Sequence, residues 1–292
     1  MKNLIRFDWA LKRLLRNKAN YKILEGFMSE LLNEEIIIIN ILESESNQET
    51  EDDKFNRVDL LVENSKKELT IIEIQQRNEY DYFHRILYGT SKLITEYLKL
   101  GEPYSNIRKV YSVNILYFDL GHGEDYIYHG KTDFEGIHNH DKLVLSENQI
   151  EKFHKYKPEQ IFHEYYIIKV NRFDDYAKST LDEWIYYLKN DEIKDDFRAK
   201  GLSEAKEILK VDKLNEEDRR AYKRYWENKS YEASILQTIK IDAEDKIRKE
   251  EFEKGEKQNA EKTAGQMLIN GETIDKIILY TGLSKEEIEK LK

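Results

Sequence analysis

Three polar residues on two neighbouring segments carry the chemistry that this sequence offers. Glu73 and Gln75 lie two apart in LTIIEIQQ (69–76), and Asp59 lies in RVDLLVEN (57–64). Both segments are rich in aliphatic residues, and the short turn Ser65–Glu68 joins them, so both read as strands. Residues two apart on a strand leave the same face, which sets Glu73 and Gln75 side by side. If the hairpin pairs residues whose numbers sum to 132, Asp59 stands directly opposite Glu73 and the three polar groups converge. A register shifted by one sends Asp59 to the other face and dissolves the cluster.

Carboxylates facing each other at about 5 Å repel unless a cation offsets them. Hard oxygen ligands of this kind suit Mg2+ or Mn2+, which keep several waters and accept phosphate oxygens. Such an ion activates water and stabilises the charge of phosphoryl displacement, so the chemistry implied is metal-assisted phosphodiester hydrolysis. Gln75 carries no charge and cannot act as a general base; it would orient water or a phosphate oxygen. The plainer alternative is a half-exposed sheet that Glu63, Glu68 and Glu73 merely solvate.

The elements that must position these residues follow from periodicity. Residues 4–15 read as an amphipathic helix with Leu4, Phe7, Leu11 and Leu14/Leu15 on one face, and Tyr21–Leu32 as a second helix. The run Glu34–Glu45, with four consecutive isoleucines, reads as a buried strand. An acidic loop, Asn47–Asn56, separates it from the two strands of the hairpin, and the three strands form a meander. Tyr80–Leu100 is a helix whose apolar positions are Phe83, Leu87, Leu93/Ile94 and Tyr97/Leu98; Gly101 closes it. Lys109–Asp119 is a fourth strand, residues 120–143 an edge hairpin, Ile161–Val170 a further strand, and Thr180–Leu188 the start of a helix. From 191 to 262 about half of the residues are charged with mixed sign, which describes exposed helix. Ala260–Lys292 reads as two short helices, the second opened by the capping pair Ser284 and Glu287.

Composition narrows the function. Apolar residues make up 39% and charged residues 36% of the 292, against about 45–50% and 25% in ordinary globular chains. A folded part accompanied by a solvated helical part accounts for that balance. With no cysteine, disulfide frameworks, thiolate zinc sites and cysteine nucleophiles are excluded. The aliphatic run Ile36–Ile39 falls far short of the ~20 residues that span a bilayer, and Asp8, Lys12 and Arg13 interrupt any signal-peptide core. The expected protein is soluble, cytoplasmic and not membrane-bound. Its net charge of −10 opposes nonspecific nucleic-acid binding. Yet residues 1–24 carry Lys2, Arg6, Lys12, Arg13, Arg16, Lys18 and Lys22 against Asp8 alone. Lys12, Arg13 and Arg16 could meet DNA phosphates, or simply solvate a helix. Arg85, one turn into the helix after the hairpin, could approach phosphate from the same side, or pair with Asp81 as an ordinary helix neighbour.

The stretch RVDLLVEN…LTIIEIQQ resembles the PD-(D/E)xK nuclease core in its E-x-Q form. The following YDYFHRILYGTSKLITEYLKLGEPYSNIRKVYSVNILYFDL is similar to the Rpn family of recombination-promoting nucleases, also called PD-(D/E)xK family transposases. DYIYHGKTDFEGIH, HEYYIIKVNRFDD and LDEWIYYLKN extend the similarity over about residues 5–190. The resemblance implies an α/β, restriction-endonuclease-like core, a mixed central sheet flanked by helices, over 1–190, followed by a charged helical C-terminal region over 191–292. It implies a DNA endonuclease dependent on Mg2+ or Mn2+ and linked to recombination or transposition. Asp59 and Glu73 then map to the metal-binding acids, and Gln75 to the position commonly held by lysine. The Ile74 carbonyl is a further candidate ligand. Val58 replaces the proline that often precedes the first acid. Glu25, or Glu30, on the second helix is a candidate additional acid, with a solvated helix border as the alternative. Cutting both strands with one site per chain implies a homodimer. The competing expectation, motivated by Gln75 and the acidic surface, is a non-catalytic nucleic-acid- or protein-binding module of the same fold.

Overall fold

The computed structural model describes residues 4–42 and 59–291. The expected acidic loop Asn47–Asn56, and the start of the second expected strand at Arg57 and Val58, lie outside the described residues. The elements run α1 (Phe7–Arg13), α2 (Tyr21–Leu32), β1 (Ile38–Leu42), β2 (Leu60–Asn64), β3 (Leu69–Gln75), α3 (Tyr82–Glu96), β4 (Val110–Leu116), β5 (Ile127–Gly130), α4 (Glu147–Phe153), β6 (Glu164–Lys169), α5 (Thr180–Asn190), α6 (Leu202–Ile208), α7 (Glu216–Ile269), α8 (Ile274–Thr281) and α9 (Lys285–Glu289). The chain forms two compact units, Met1–Arg219 and Arg220–Lys292.

The first unit is built on a mixed sheet in the order β1-β2-β3-β4-β6-β5. β1, β2 and β3 form the expected antiparallel meander. β3, β4 and β6 run parallel, and α3 supplies the crossover that a parallel neighbour requires. β5 closes the edge antiparallel to β6. The expected edge hairpin is therefore an edge strand whose partner arrives later in the chain, beyond α4.

Both faces of the central strands β2, β3 and β4 are covered. Under α3, Leu61, Leu69, Ile71, Leu93 and Val110 form one cluster, and Tyr82, Ile86 and Leu116 another. Leu60, Val62, Ile72, Ile74, Val113, Ile115 and Ile168 occupy the alternate positions and are also buried. Burial on two faces is why β3 and β4 read as near-continuous apolar runs. α1, α2 and α5 meet through Phe7, Phe27, Trp184 and Tyr187, whose rings contact edge-on or tilted at 5.4–6.1 Å.

Two expectations need correction. β1 is not a fully buried strand: Ile36 and Ile38 are buried, but Ile37 and Ile39 are 52% and 45% exposed, because a sheet edge strand has one face without cover. α3 is rotated from its expected face. Tyr82, Ile86, Thr90 and Leu93 point inward, while Phe83 and Leu87 are exposed. Both stripes have helical spacing, and a polar contact of Tyr82 with the sheet selects between them.

The charged stretch after 190 begins inside the first unit. Leu202, Ala205 and Leu209 are buried, and the segment before α6 crosses α2 at Gly26. A Cβ on Gly26 would lie 2.2 Å from the Lys200 carbonyl oxygen. Gly201 turns away there with φ +80°, a conformation open to glycine. In the second unit α7 runs on to Ile269, past the expected start of the terminal helices at Ala260, and only then do α8 and α9 fold back. Ala264, Ile277, Leu283 and Ile288 make a small core. The capping box at Ser284 and Glu287 forms as expected.

The Gly26 crossing generates a test. Gly26→Ala gains about 1 kcal/mol of helix propensity but forces two backbones apart, at about 1–3 kcal/mol or more. Urea unfolding should show a net loss of stability; a gain would mean that the crossing yields freely.

Candidate active site

The hairpin register decides the site. Leu60 pairs with Ile72, Leu61 with Ile71, Val62 with Thr70 and Glu63 with Leu69, so paired numbers sum to 132 as the converging arrangement requires. Asp59 directly precedes β2, at the position facing Glu73. Its Oδ2 accepts the Ile74 N–H at 2.8 Å, which pins the carboxylate to β3. Its Oδ1 pairs with Lys12 Nζ at 2.9 Å, and the Arg16 guanidinium donates to its main-chain carbonyl at 2.9 Å.

α1 delivers these cations because Phe7, Leu11 and, just beyond the helix, Leu15 are buried, leaving Lys12 and Arg16 on the outer side. Asp8, one turn before Lys12, lies 3.4 Å from Gln76 Nε2. Arg13 turns elsewhere: it pairs with Glu217 at 2.7 Å and with Asp218, at the start of α7.

Glu73 is only 7% exposed. Arg85 Nη2 lies 3.7 Å from its carboxylate, and Tyr82 Oη lies 3.5 Å away. The Tyr82 hydroxyl donates to Asn114 Oδ1 at 3.0 Å. Asn114 is oriented in turn by donating to the Ser112 carbonyl at 3.1 Å, to Ser112 Oγ at 3.0 Å and to the Tyr166 carbonyl at 3.2 Å. Burial pushes the Glu73 carboxyl from 4.5 up to about 7, with Arg85 opposing the rise and Asp59 and Glu79 adding to it. The same burial raises the Tyr82 phenol, and Glu73 adds to that.

Gln75 is held through a residue that the sequence pattern did not single out. Its Nε2 donates to Glu79 Oε1, and Arg85 Nη1 reaches both Glu79 oxygens at 2.8 and 3.1 Å. Gln75, Glu79, Arg85 and Glu73 thus form a chain. Burial, the largest single influence on Arg85, disfavours its charge, but Glu73 and Glu79 together outweigh it and hold the guanidinium above its ordinary value. Glu79 lies in the loop before α3, where spacing carries no information about facing. Asn114 did carry a signal, as a polar residue inside the apolar run of β4.

The structure does not bring Glu25 to this cluster. Its Oε1 accepts the Ile38 N–H at 2.8 Å, and Ile38 pairs with Asn64. Asn64 stands five residues along the strand from Asp59, roughly 16 Å at strand rise. Glu30 is likewise engaged elsewhere, by Thr180 and by the Lys200 N–H.

Asp59 and Glu73 fit a hard divalent ion. They face each other across a hairpin, one is buried, and the proximity of the other raises its pKa. A cation between them would offset both effects. Among the described residues no group of three or more His, Cys, Asp or Glu side chains could form a metal cage. Two carboxylates remain, and an ion that takes one or two carboxylates from a protein completes its shell with water and phosphate.

The family described as PD-(D/E)XK nuclease family transposase matches residues 5–239. No curated protein and no solved structure matches.

The raised carboxyl of Glu73 has a consequence for stability. The folded chain keeps this proton up to about pH 7, while the unfolded chain releases it near 4.5. Between those values the folded state binds more protons, so stability falls as pH rises through the window. The buried charge then costs on the order of 3 kcal/mol above pH 7. Glu73→Gln should raise the melting temperature by several degrees at pH 8 and leave it nearly unchanged at pH 4. Equal effects at both pH values would contradict the assignment.

Proposed function

The chain belongs to the PD-(D/E)XK nuclease family transposases, and on that premise we propose that it is a metal-dependent DNA endonuclease hydrolysing phosphodiester bonds in recombination or transposition. The observation that carries the proposal is the β2–β3 register, which faces Asp59 toward Glu73 and fastens Asp59 to the Ile74 N–H. Asp59 and Glu73 would hold Mg2+ or Mn2+, with the Ile74 carbonyl as a further oxygen. An ion bound there supplies an activated water and offsets the growing charge on phosphate.

The chain's own residues do the rest. The Ile74 N–H fixes the direction of the Asp59 carboxylate. Tyr82, its hydroxyl fixed by Asn114, lies against the buried side of Glu73 and limits its arrangements. Gln75 steadies Glu79 and thereby Arg85, and its remaining amide capacity orients water or a phosphate oxygen. Lys12, Arg16 and Arg85 set three cations beside the acids within a chain of net charge −10, close enough to a bound phosphate to act within the ~8–10 Å screening length. Arg13 pairs instead with Glu217 and Asp218. Glu25, committed to Ile38, has no part in the proposal. No described helix is long and apolar enough to cross a membrane. The proposed substrate is duplex DNA in the cytoplasm, cut by a homodimer that presents one site to each strand.

One observation favours a second reading. Gln75, in place of a lysine, donates to Glu79 inside the protein, as in a binding module that keeps the fold without the reaction. Plasmid nicking decides between the two. The purified chain with Mg2+ or Mn2+ should convert supercoiled plasmid to nicked or linear forms, and Asp59→Ala or EDTA should return it to background. Folded protein that retains DNA but leaves it intact would favour the binding module. Cleavage that survives Asp59→Ala would sink the assignment of the site.

A further inference from the structure

Gln75 brings no charge to the paired acids, and the geometry points to Lys12 as the residue that supplies it: a catalytic ammonium delivered from α1 to the scissile phosphate. The inference rests on the nuclease reading above and goes beyond it by giving Lys12 a role in the transition state rather than in general attraction to DNA.

Three observations carry it. The Lys12 Nζ is 2.9 Å from Asp59 Oδ1, and the other oxygen of that carboxylate is fixed by the Ile74 N–H. The ammonium is therefore one hydrogen bond from the acid that the proposed function assigns to the metal. Second, the backbone under Lys12 is anchored by buried Phe7, Leu11 and Leu15, while its side chain remains 56% exposed. A fixed base with an exposed, four-carbon stem lets the ammonium meet a phosphate without moving the helix. Third, the neighbouring cations have other partners. Arg85 is bound to both oxygens of Glu79 and lies beside Glu73, Arg16 holds a main-chain carbonyl, and Arg13 faces Glu217 and Asp218. Lys12 is bonded to a carboxylate that would also serve a divalent ion. An ammonium sharing its carboxylate with such an ion carries positive charge that a phosphate oxygen answers.

In the reaction a water oxygen bonds to phosphorus as one P–O ester bond breaks. The water gives up a proton to solvent, and the leaving oxygen takes one up from solvent. Lys12 exchanges no covalent bond. It donates N–H to a non-bridging oxygen whose negative charge grows as the new bond forms, the kind of donor whose loss costs about 10²–10³-fold in rate.

Lys12→Met keeps the length of the stem and removes the charge. In the full-length protein its kcat on plasmid should fall by about 10²–10³-fold, with KM for DNA within about threefold of the parent. Isothermal titration with Mn2+ alone should show affinity rising by about threefold or more, because a competing cation has left Asp59. Adding Gln75→Lys to Lys12→Met should recover at least about tenfold in kcat by returning an ammonium from the opposite side, even if Lys12→Met alone melts several degrees lower. Lys12→Met that cuts as well as the parent, loses only KM, or leaves Mn2+ affinity unchanged overturns the inference while the nuclease reading stands. A double variant no better than the single one reduces Lys12 to a strut between α1 and β2. A parent chain that cuts nothing overturns both.

Discussion

The arrangement of this site depends on one hydrogen bond and the register it reports, the Ile74 N–H held by the Asp59 carboxylate at 2.8 Å. It lies at the end of the β2–β3 ladder, just past the last paired residues. There a main-chain donor would otherwise be unmet at a place where the sheet opens. Satisfying that donor with a side chain turns Asp59 toward β3 and, by the period of two along a strand, toward the face that carries Glu73 and Gln75. Leu60, Leu61 and Val62 on β2 and Leu69, Ile71, Ile72 and Ile74 on β3 are buried on both faces, so a slip of one residue would exchange one set of aliphatics for another and would move the acids to the opposite face. The bond from the Ile74 N–H to Asp59 is a polar contact that only the observed register makes. Register and chemistry are linked here through that contact.

The surroundings of Glu73 show what the arrangement costs. A carboxylate that is 7% exposed, faced by a second acid and near a third, has a pKa pushed up to about 7. Arg85 only partly offsets this. A protein that needed nothing from this position would gain by filling it with an apolar side chain, since buried charge is unfavourable even when paired. The polar network of Tyr82, Asn114 and Ser112 holds the group in one orientation without curing that penalty. Carboxyls perturbed by burial and by a neighbouring acid are frequent at working sites. Together with the family to which the chain belongs, this gives the proposed reaction a physical basis as well as a lineage.

The parts of the fold that periodicity marked are those in which local pattern and tertiary need agree. The meander, the helix Tyr21–Leu32 and the capping box at Ser284 were legible because each rests on contacts between near neighbours in sequence. The face of α3 was not. Two apolar stripes at helical spacing compete there, and the choice between Tyr82–Ile86–Leu93 and Phe83–Leu87 depends on a hydrogen bond to Asn114, 32 residues away. The exposure of Ile37 and Ile39 was hidden for a similar reason. A run of isoleucines shows affinity for a sheet but does not say whether the strand lies at its edge.

The site divides along the same line. Asp59, Glu73 and Gln75 could be singled out from the sequence because strand spacing and residue type alone put carboxylates and an amide on one face, given the register. Glu79 could not, since a loop has no period, and neither could the meeting of Lys12 with Asp59, which lie 47 positions apart in the chain. Their contact depends on how α1 packs, through Phe7, Leu11 and Leu15, beside a sheet that has yet to form when α1 is read as a helix. Local sequence determined which residues share a face, because backbone geometry repeats every two or 3.6 residues. Which faces meet, and hence which charge answers which, was decided by the packing of the apolar core, a property of the whole chain.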